Sequence, residues 1–180
     1  MSENLKSLRI LIADDSLMMQ RLLFAMAQDI GFTDIHLAGD GLTAIKMFEQ
    51  YQPQIALLDI VMPNLDGISV LKEIREQGSD CTVIMVSGLT FREEVVRCRK
   101  AGANGYLLKP FEASRIRSFL RRLAEKAYQQ AYGESFAAVI DAQRAAATDS
   151  PNEPPAGLDQ ADASEPTQPK VSPPEETPSA

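Results

Sequence analysis

The chain has 180 residues, 44% of them hydrophobic, with no tryptophan and a net charge of −7. From Thr148 onward seven acids (Asp149, Glu153, Asp159, Asp162, Glu165, Glu175, Glu176) stand against one base, Lys170, so this segment carries −6 and residues 1–147 carry −1. A nearly neutral body lacks the electrostatic footprint of a nucleic-acid binder, and no apolar run approaches the roughly 18 residues of a membrane span. Two cysteines, Cys81 and Cys98, make neither a disulfide framework nor a metal-ligand set and read as small packing residues. The N-terminus shows no cleavage-site pattern. The expectation is a cytoplasmic protein that binds neither nucleic acid nor membrane.

After a short lead (residues 1–6), strand-like and helix-like segments alternate five times. LRILIA (8–13) is a continuous apolar run, followed by Met19, Leu22, Leu23, Met26 and Ile30 on one face of a helix that Gly31 closes. DIHLA (34–38) is the second strand, with Asp40 as N-cap of a helix holding Ala44, Ile45 and Phe48. IALLD (55–59) is the third, and after a stiff loop Asp66 caps a helix patterned by Ile68, Leu71 and Ile74, with Gly78 near its end. TVIMVS (82–87) precedes a helix marked by Phe91, Val95 and Cys98, with Thr90 and Glu93 spaced as a capping box and Gly102 near its end. GYLLK (105–109) precedes a fifth helix patterned by Ile116, Phe119, Leu120, Leu123 and Ala127. Gly133 then interrupts, and 134–148 suits a weak alanine-rich helix. Beyond it lie eight of the eleven prolines, in a composition that cannot offset its ordering entropy and reads as disordered.

Five such units with short connections predict an α/β domain, a parallel sheet with helices on both faces. Ligands of these sheets sit beyond the carboxyl ends of the strands. Those ends hold Asp14 and Asp15, Asp59, Ser87 and Lys109. Three carboxylates there are hard oxygen ligands suited to Mg2+, which also relieves their mutual repulsion. With that charge neutralised a carboxylate oxygen can attack phosphorus. The phosphoryl oxygens then need an ammonium and a hydroxyl, which Lys109 and Ser87 supply.

Four stretches, LIADDS (11–16), LLDIVMPNLDG (57–67), MVSG (85–88) and GYLLKPF (105–111), fall in order at successive strand ends. Together they make residues 7–124 resemble the receiver domain of a bacterial two-component response regulator, most closely the single-domain chemotaxis type. The resemblance implies a flavodoxin-like, doubly wound, five-stranded sheet of order 2-1-3-4-5 with five helices. It implies that Asp59 accepts a phosphoryl group from a histidine kinase, with Mg2+ held by Asp14, Asp15, Asp59 and the Val61 carbonyl. Ser87 matches the switch hydroxyl, Tyr106 the switch aromatic, and Lys109 the phosphate-binding lysine, before a Lys109–Pro110 bond that is usually cis in the family. It further implies a surface of the fourth helix, fifth strand and fifth helix remodelled for a downstream protein, and slow self-dephosphorylation rather than enzymatic turnover. Positions such as Val61 and Leu89 tune that rate in the family. Residues 125–147 then form a helical extension and 148–180 an acidic proline-rich tail.

Other classes fit less well. A transcription factor needs a winged helix, for which only a weak helix and a proline-rich tail remain. Haloacid dehalogenase-like phosphatases carry a second acid two residues after the nucleophile, where this chain has Val61. A flavodoxin-like cofactor carrier would not need the acid cluster. A phosphate sink or relay intermediate shares every motif. His36, in the second strand, lies apart from the acids and does not suit a phosphodonor. The basic residues Arg115, Arg117, Arg121, Arg122 and Lys126 read as a solvated face, or as a docking surface for an acidic partner or the acidic tail.

Overall fold

The computed structural model describes residues 8–88 and 91–148. Five parallel strands, β1 (Arg9–Ala13), β2 (Asp34–Ala38), β3 (Ile55–Asp59), β4 (Thr82–Ser87) and β5 (Gly105–Leu108), pair in the order β2-β1-β3-β4-β5. Helices α1 (Leu17–Ile30), α2 (Gly41–Tyr51), α3 (Gly67–Glu76), α4 (Arg92–Lys100) and α5 (Ala113–Tyr132) follow the strands in turn, and α6 (Phe136–Thr148) follows α5. This is the doubly wound flavodoxin-like architecture.

Side chains of the central strands alternate between two cores, as the period of two requires. Ile10, Ile12, Ile55, Leu57, Ile84 and Val86 point to the face covered by α1, α5 and α6. Leu11, Ala13, Ala56, Leu58, Val83 and Met85 point to the face covered by α2, α3 and α4. Both faces being dry is why these strands read as unbroken apolar runs.

The helix ends carry the expected caps. Asp40 accepts from the Thr43 amide at 3.0 Å and Asp66 from the Ser69 amide at 2.7 Å. Gly31, Gly78 and Gly102 all take positive φ at or just past a helix end. The N-terminus of α4 differs from the capping-box expectation: its N-cap is Phe91, without a side-chain cap bond, so Glu93 stands one position too early for the box. Thr90, like Leu89, lies outside the described residues.

Two helical faces also differ from their sequence pattern. In α1 the buried set is Gln20, Leu23, Met26, Ala27 and Ile30, while Leu22 is exposed. In α4 only Cys98 is buried; Phe91, Val95 and Val96 face solvent. Hydrophobic spacing marks a face of a helix but not whether that face meets a core.

Residue 124 falls inside α5, which runs without a break to Tyr132, where Gly133 closes it at φ 73°. The chain then turns back, and α6 lays Phe136 and Ile140 into the core beside Phe32 and Tyr128. Its start is held by Ser135, whose hydroxyl accepts from the Ala138 amide, and by Glu125, whose carboxylate accepts from the Ala137 amide. An acid at a helix N-terminus also meets the positive end of the helix dipole. Arg144 closes the far end on the Asp29 carbonyl. An alanine-rich segment of weak amphipathicity is thereby tied to the domain by two large side chains and two polar contacts.

Candidate functional site

The sheet order brings the ends of β1, β3, β4 and β5 side by side. Asp14 and Asp15 follow β1, Asp59 ends β3, Ser87 ends β4 and Lys109 follows β5. Backbone bonds fix these ends to one another: the Asp14 amide donates to the Ala38 carbonyl and the Lys109 amide to that of Ser87. Asp14, Asp59 and Ser87 are buried, whereas Asp15 is exposed.

The Lys109 ammonium bridges the acids, 2.6 Å from Asp14 Oδ2 and 2.7 Å from Asp59 Oδ2. Burial pushes the Asp59 carboxyl above the ordinary carboxylate range. The Lys109 hydrogen bond and charge pull it back, the Asp14 charge pushes it up again, and the Val61 amide, donating to it, lowers it. Burial also opposes the charge on Lys109, but the bonds and charges of the two carboxylates overcome it and hold the amine above its usual value. The Lys109–Pro110 bond is cis.

Carboxylate oxygens of Asp14, Asp15 and Asp59 lie within 4.8 Å of one another. Three carboxylates and one ammonium leave two negative charges, which suits a divalent cation. The oxygen-only donor set suits a hard one, and the exposure of Asp15 leaves room for the waters Mg2+ keeps. The Val61 side chain points to solvent, 61% exposed.

On the β4–β5 side, Ser87 and Tyr106 share a side-chain hydrogen bond, and burial holds the half-buried phenol above its ordinary value. His36 lies on β2 away from these groups, stacked on Tyr51 at 3.7 Å, with Nε2 2.8 Å from Asp34 Oδ1 but without hydrogen-bond geometry. Cys81 and Cys98 are buried and unpaired, and burial pushes the Cys81 thiol up to about 12.

Two kinds of support for the site carried no clear sequence signal. Gln20, buried on α1, donates through Nε2 to the Asp14 carbonyl at 2.7 Å and the Ala38 carbonyl at 3.2 Å, tying the acid loop to the end of β2. The one hint of it is a polar residue at helical spacing from Leu23 and Ala27. Gly67 packs directly on the strand tip: a Cβ there would stand 1.9 Å from the Asp59 carbonyl oxygen. Gly41 plays the same part toward the loop, where a Cβ would stand 2.0 Å from the Leu65 carbonyl oxygen. The stretch from Asp59 to Gly67 is thus clamped between α2 and α3.

Residues 10–121 match the family model described as the response regulator receiver domain. The chain belongs to this family. It is 35% identical over 123 residues to Chemotaxis protein CheY-3 of Vibrio cholerae, covering 67% of this chain and 95% of that protein. It is 34% identical over 118 residues to Chemotaxis protein CheY of Listeria monocytogenes, covering 66% and 99%. Among solved structures it resembles the CheX–CheY–BeF3–Mg2+ complex of Borrelia burgdorferi, with TM-score 0.61 and 30% identity over 64% of this chain and 88% of that one. A CheY-like receiver domain protein of Methanospirillum hungatei gives TM-score 0.63 and 26% identity over 72% and 100%. Receiver domains are phosphoacceptors that serve as phosphorylation-regulated signalling switches, and this chain carries one. No helix among the described residues is long and apolar enough to cross a membrane.

Proposed function

We propose that Asp59 is the phosphoacceptor, taking its phosphoryl group from a histidine kinase. The observation that carries this is the Lys109 ammonium seated on both Asp14 and Asp59 at the open edge of the sheet. An Asp59 oxygen attacks phosphorus while the bond from phosphorus to the donor nitrogen breaks, its electron pair leaving with the imidazole. Lys109 then follows the negative charge onto the phosphoryl oxygens, as a preorganised cation held at the point where charge accumulates. Asp14, Asp15, Asp59 and the Val61 carbonyl are the groups to hold Mg2+, which when bound neutralises the pocket and the incoming phosphoryl.

The readout runs through Ser87. Its hydroxyl is bonded to Tyr106, so a phosphoryl on Asp59 that recruits the hydroxyl releases the phenol. Tyr106 lies on β5 beside α4, and its movement alters the face formed by α4, β5 and α5. There Val95 of α4, beside Tyr106, and Leu108 of β5 are exposed apolar side chains, which suits a protein partner. The chemotaxis names of the curated relatives favour output by protein contact.

The test exposes the wild type and Asp59→Asn to acetyl phosphate and Mg2+ and weighs the intact chains. The wild type gains one phosphoryl mass and the variant none; an undiminished gain in the variant overturns the assignment.

A further inference from the structure

A groove of about 740 Å³ runs between β5 and the first half of α5. Leu108, Phe111 and Phe119 give it an apolar lining, and Arg115 and Arg122 stand exposed on its wall. Glu112 is the one acid among its lining residues. β5 is the edge strand of the sheet, so no further strand closes the groove. It is therefore a basic, aromatic-lined channel beside the acid edge.

The course of α6 brings the chain back toward this channel. Phe136 packs on Tyr128 near the end of α5. Arg144 reaches Asp29, which Arg117 of the second turn of α5 also pairs with at 3.1 Å. α6 thus runs back along α5 toward the first turns of that helix, and it ends at Thr148. Rounding one helix 10–12 Å across means a path of about 16–19 Å. Five residues reach about 17 Å, so Glu153 is within range.

The segment after Thr148 has the chemistry of a ligand for that channel. It carries −6, whereas Arg115, Arg121, Arg122 and Lys126 are exposed or half-buried bases on α5. Its first proline pair, Pro154-Pro155, sits directly after Glu153. Proline fixes φ near the polyproline II value, and such segments dock in aromatic-lined grooves at little ordering cost.

We propose that the segment beginning at Asp149 docks in the β5–α5 groove of its own chain, with Pro154 and Pro155 against Phe111 and Phe119 and Glu153 against Arg115 and Arg122. The docking itself needs no phosphorylation. Because the groove borders the α4–β5–α5 face, the docked segment competes with an output partner there; only this consequence rests on the function proposed above.

The test uses the full chain with a nitroxide on Ala156→Cys. Cys81 and Cys98 are buried, so the label is selective. The expected result is loss of most amide intensity at Leu108, Ser114 and Ser118 at low salt. The loss should disappear near 1 M salt, where charges are screened beyond about 3 Å. It should also disappear in Arg115→Glu/Arg122→Glu and return when Glu153→Lys is added. Broadening that ignores salt and charge reversal, that falls on another face, or that fades on dilution as contact between two copies would, overturns the proposal. Asp59→Asn leaves the low-salt pattern unchanged, so failure of the phosphoacceptor assignment is read separately.

Discussion

The two ends of the fold are built on opposite economies. At the carboxyl edge the domain buries Asp14, Asp59 and Ser87 around a single ammonium. In the seam where α6 meets α1 and α5 it buries Phe32, Tyr128, Phe136 and Ile140 with nothing charged among them. Ionised groups removed from water oppose folding unless paired, and here two carboxylates share one partner. Apolar side chains favour folding by about 1.5–3 kcal/mol each when fully buried. The edge is arranged for an incoming charged group, the seam for stability. Substitutions should therefore separate cleanly, stability following the seam and phosphoryl uptake following the edge.

The strongest attempt to break that separation is Phe136→Ala. It removes a ring 5.5 Å from both Phe32 and Tyr128, and a buried Phe→Ala change costs about 3–5 kcal/mol. Chemical denaturation should show that loss, while phosphoryl uptake below the new midpoint stays at the wild-type rate. A parallel collapse of uptake would mean that the seam also positions the edge. Next in size is Lys109→Gln, which removes the cation shared by Asp14 and Asp59. Losing one preorganised electrostatic donor typically lowers rate about 10²–10³-fold, to be read as the rate of mass gain from acetyl phosphate. A rate within a few-fold of wild type would remove Lys109 from the chemistry.

Much of the edge is legible in the sequence because its residues are fixed by strand ends. Once IALLD is a buried parallel strand, Asp59 must sit at its carboxyl tip, and the same holds for Asp14 and Ser87. The seam is not legible. Phe136 and Ile140 lie in an alanine-rich segment, and what anchors them is the shape of the far partner. Ile140 fills the space beside Gly31, where a Cβ would stand 2.5 Å from its Cδ1. Nothing local to 136–148 reports that fit. Phe91 and Val95 mislead in the opposite sense: with Cys98 their spacing is helical, yet only Cys98 is buried, because spacing alone does not say whether an apolar face meets a core. Gln20 is silent because a polar residue on a buried helical face looks like noise until its two carbonyl partners are seen.

Gln20 lies between the two regions, a buried polar group on α1 that holds the acid loop. Gln20→Leu takes its amide from the Asp14 carbonyl, while the Ala38 carbonyl keeps the Asp14 N–H. Unsatisfied buried groups cost about 1–3 kcal/mol, so thermal stability should fall by less than for Phe136→Ala while uptake also slows. Loss of stability with uptake untouched would assign Gln20 wholly to the scaffold.

The smallest effect tests the economy of the edge most directly. Burial first, and the Asp14 charge in addition, hold the folded Asp59 carboxyl above its unfolded value despite Lys109. In that window the folded chain binds more protons than the unfolded one, so stability falls as pH rises. The contribution is therefore full below the unfolded carboxylate value and is lost as pH passes up through the folded one, opposite in sign to a salt-bridged acid of depressed pKa. Asp59→Asn removes the titration. Without divalent metal, the variant's advantage in melting temperature over wild type should grow from about pH 4 upward and then level off. Adding Mg2+ should narrow the gap by stabilising the wild type through binding. An advantage that is flat across this range, or that shrinks as pH rises, would mean that Lys109 fully compensates Asp59 and that the edge carries no stored electrostatic cost.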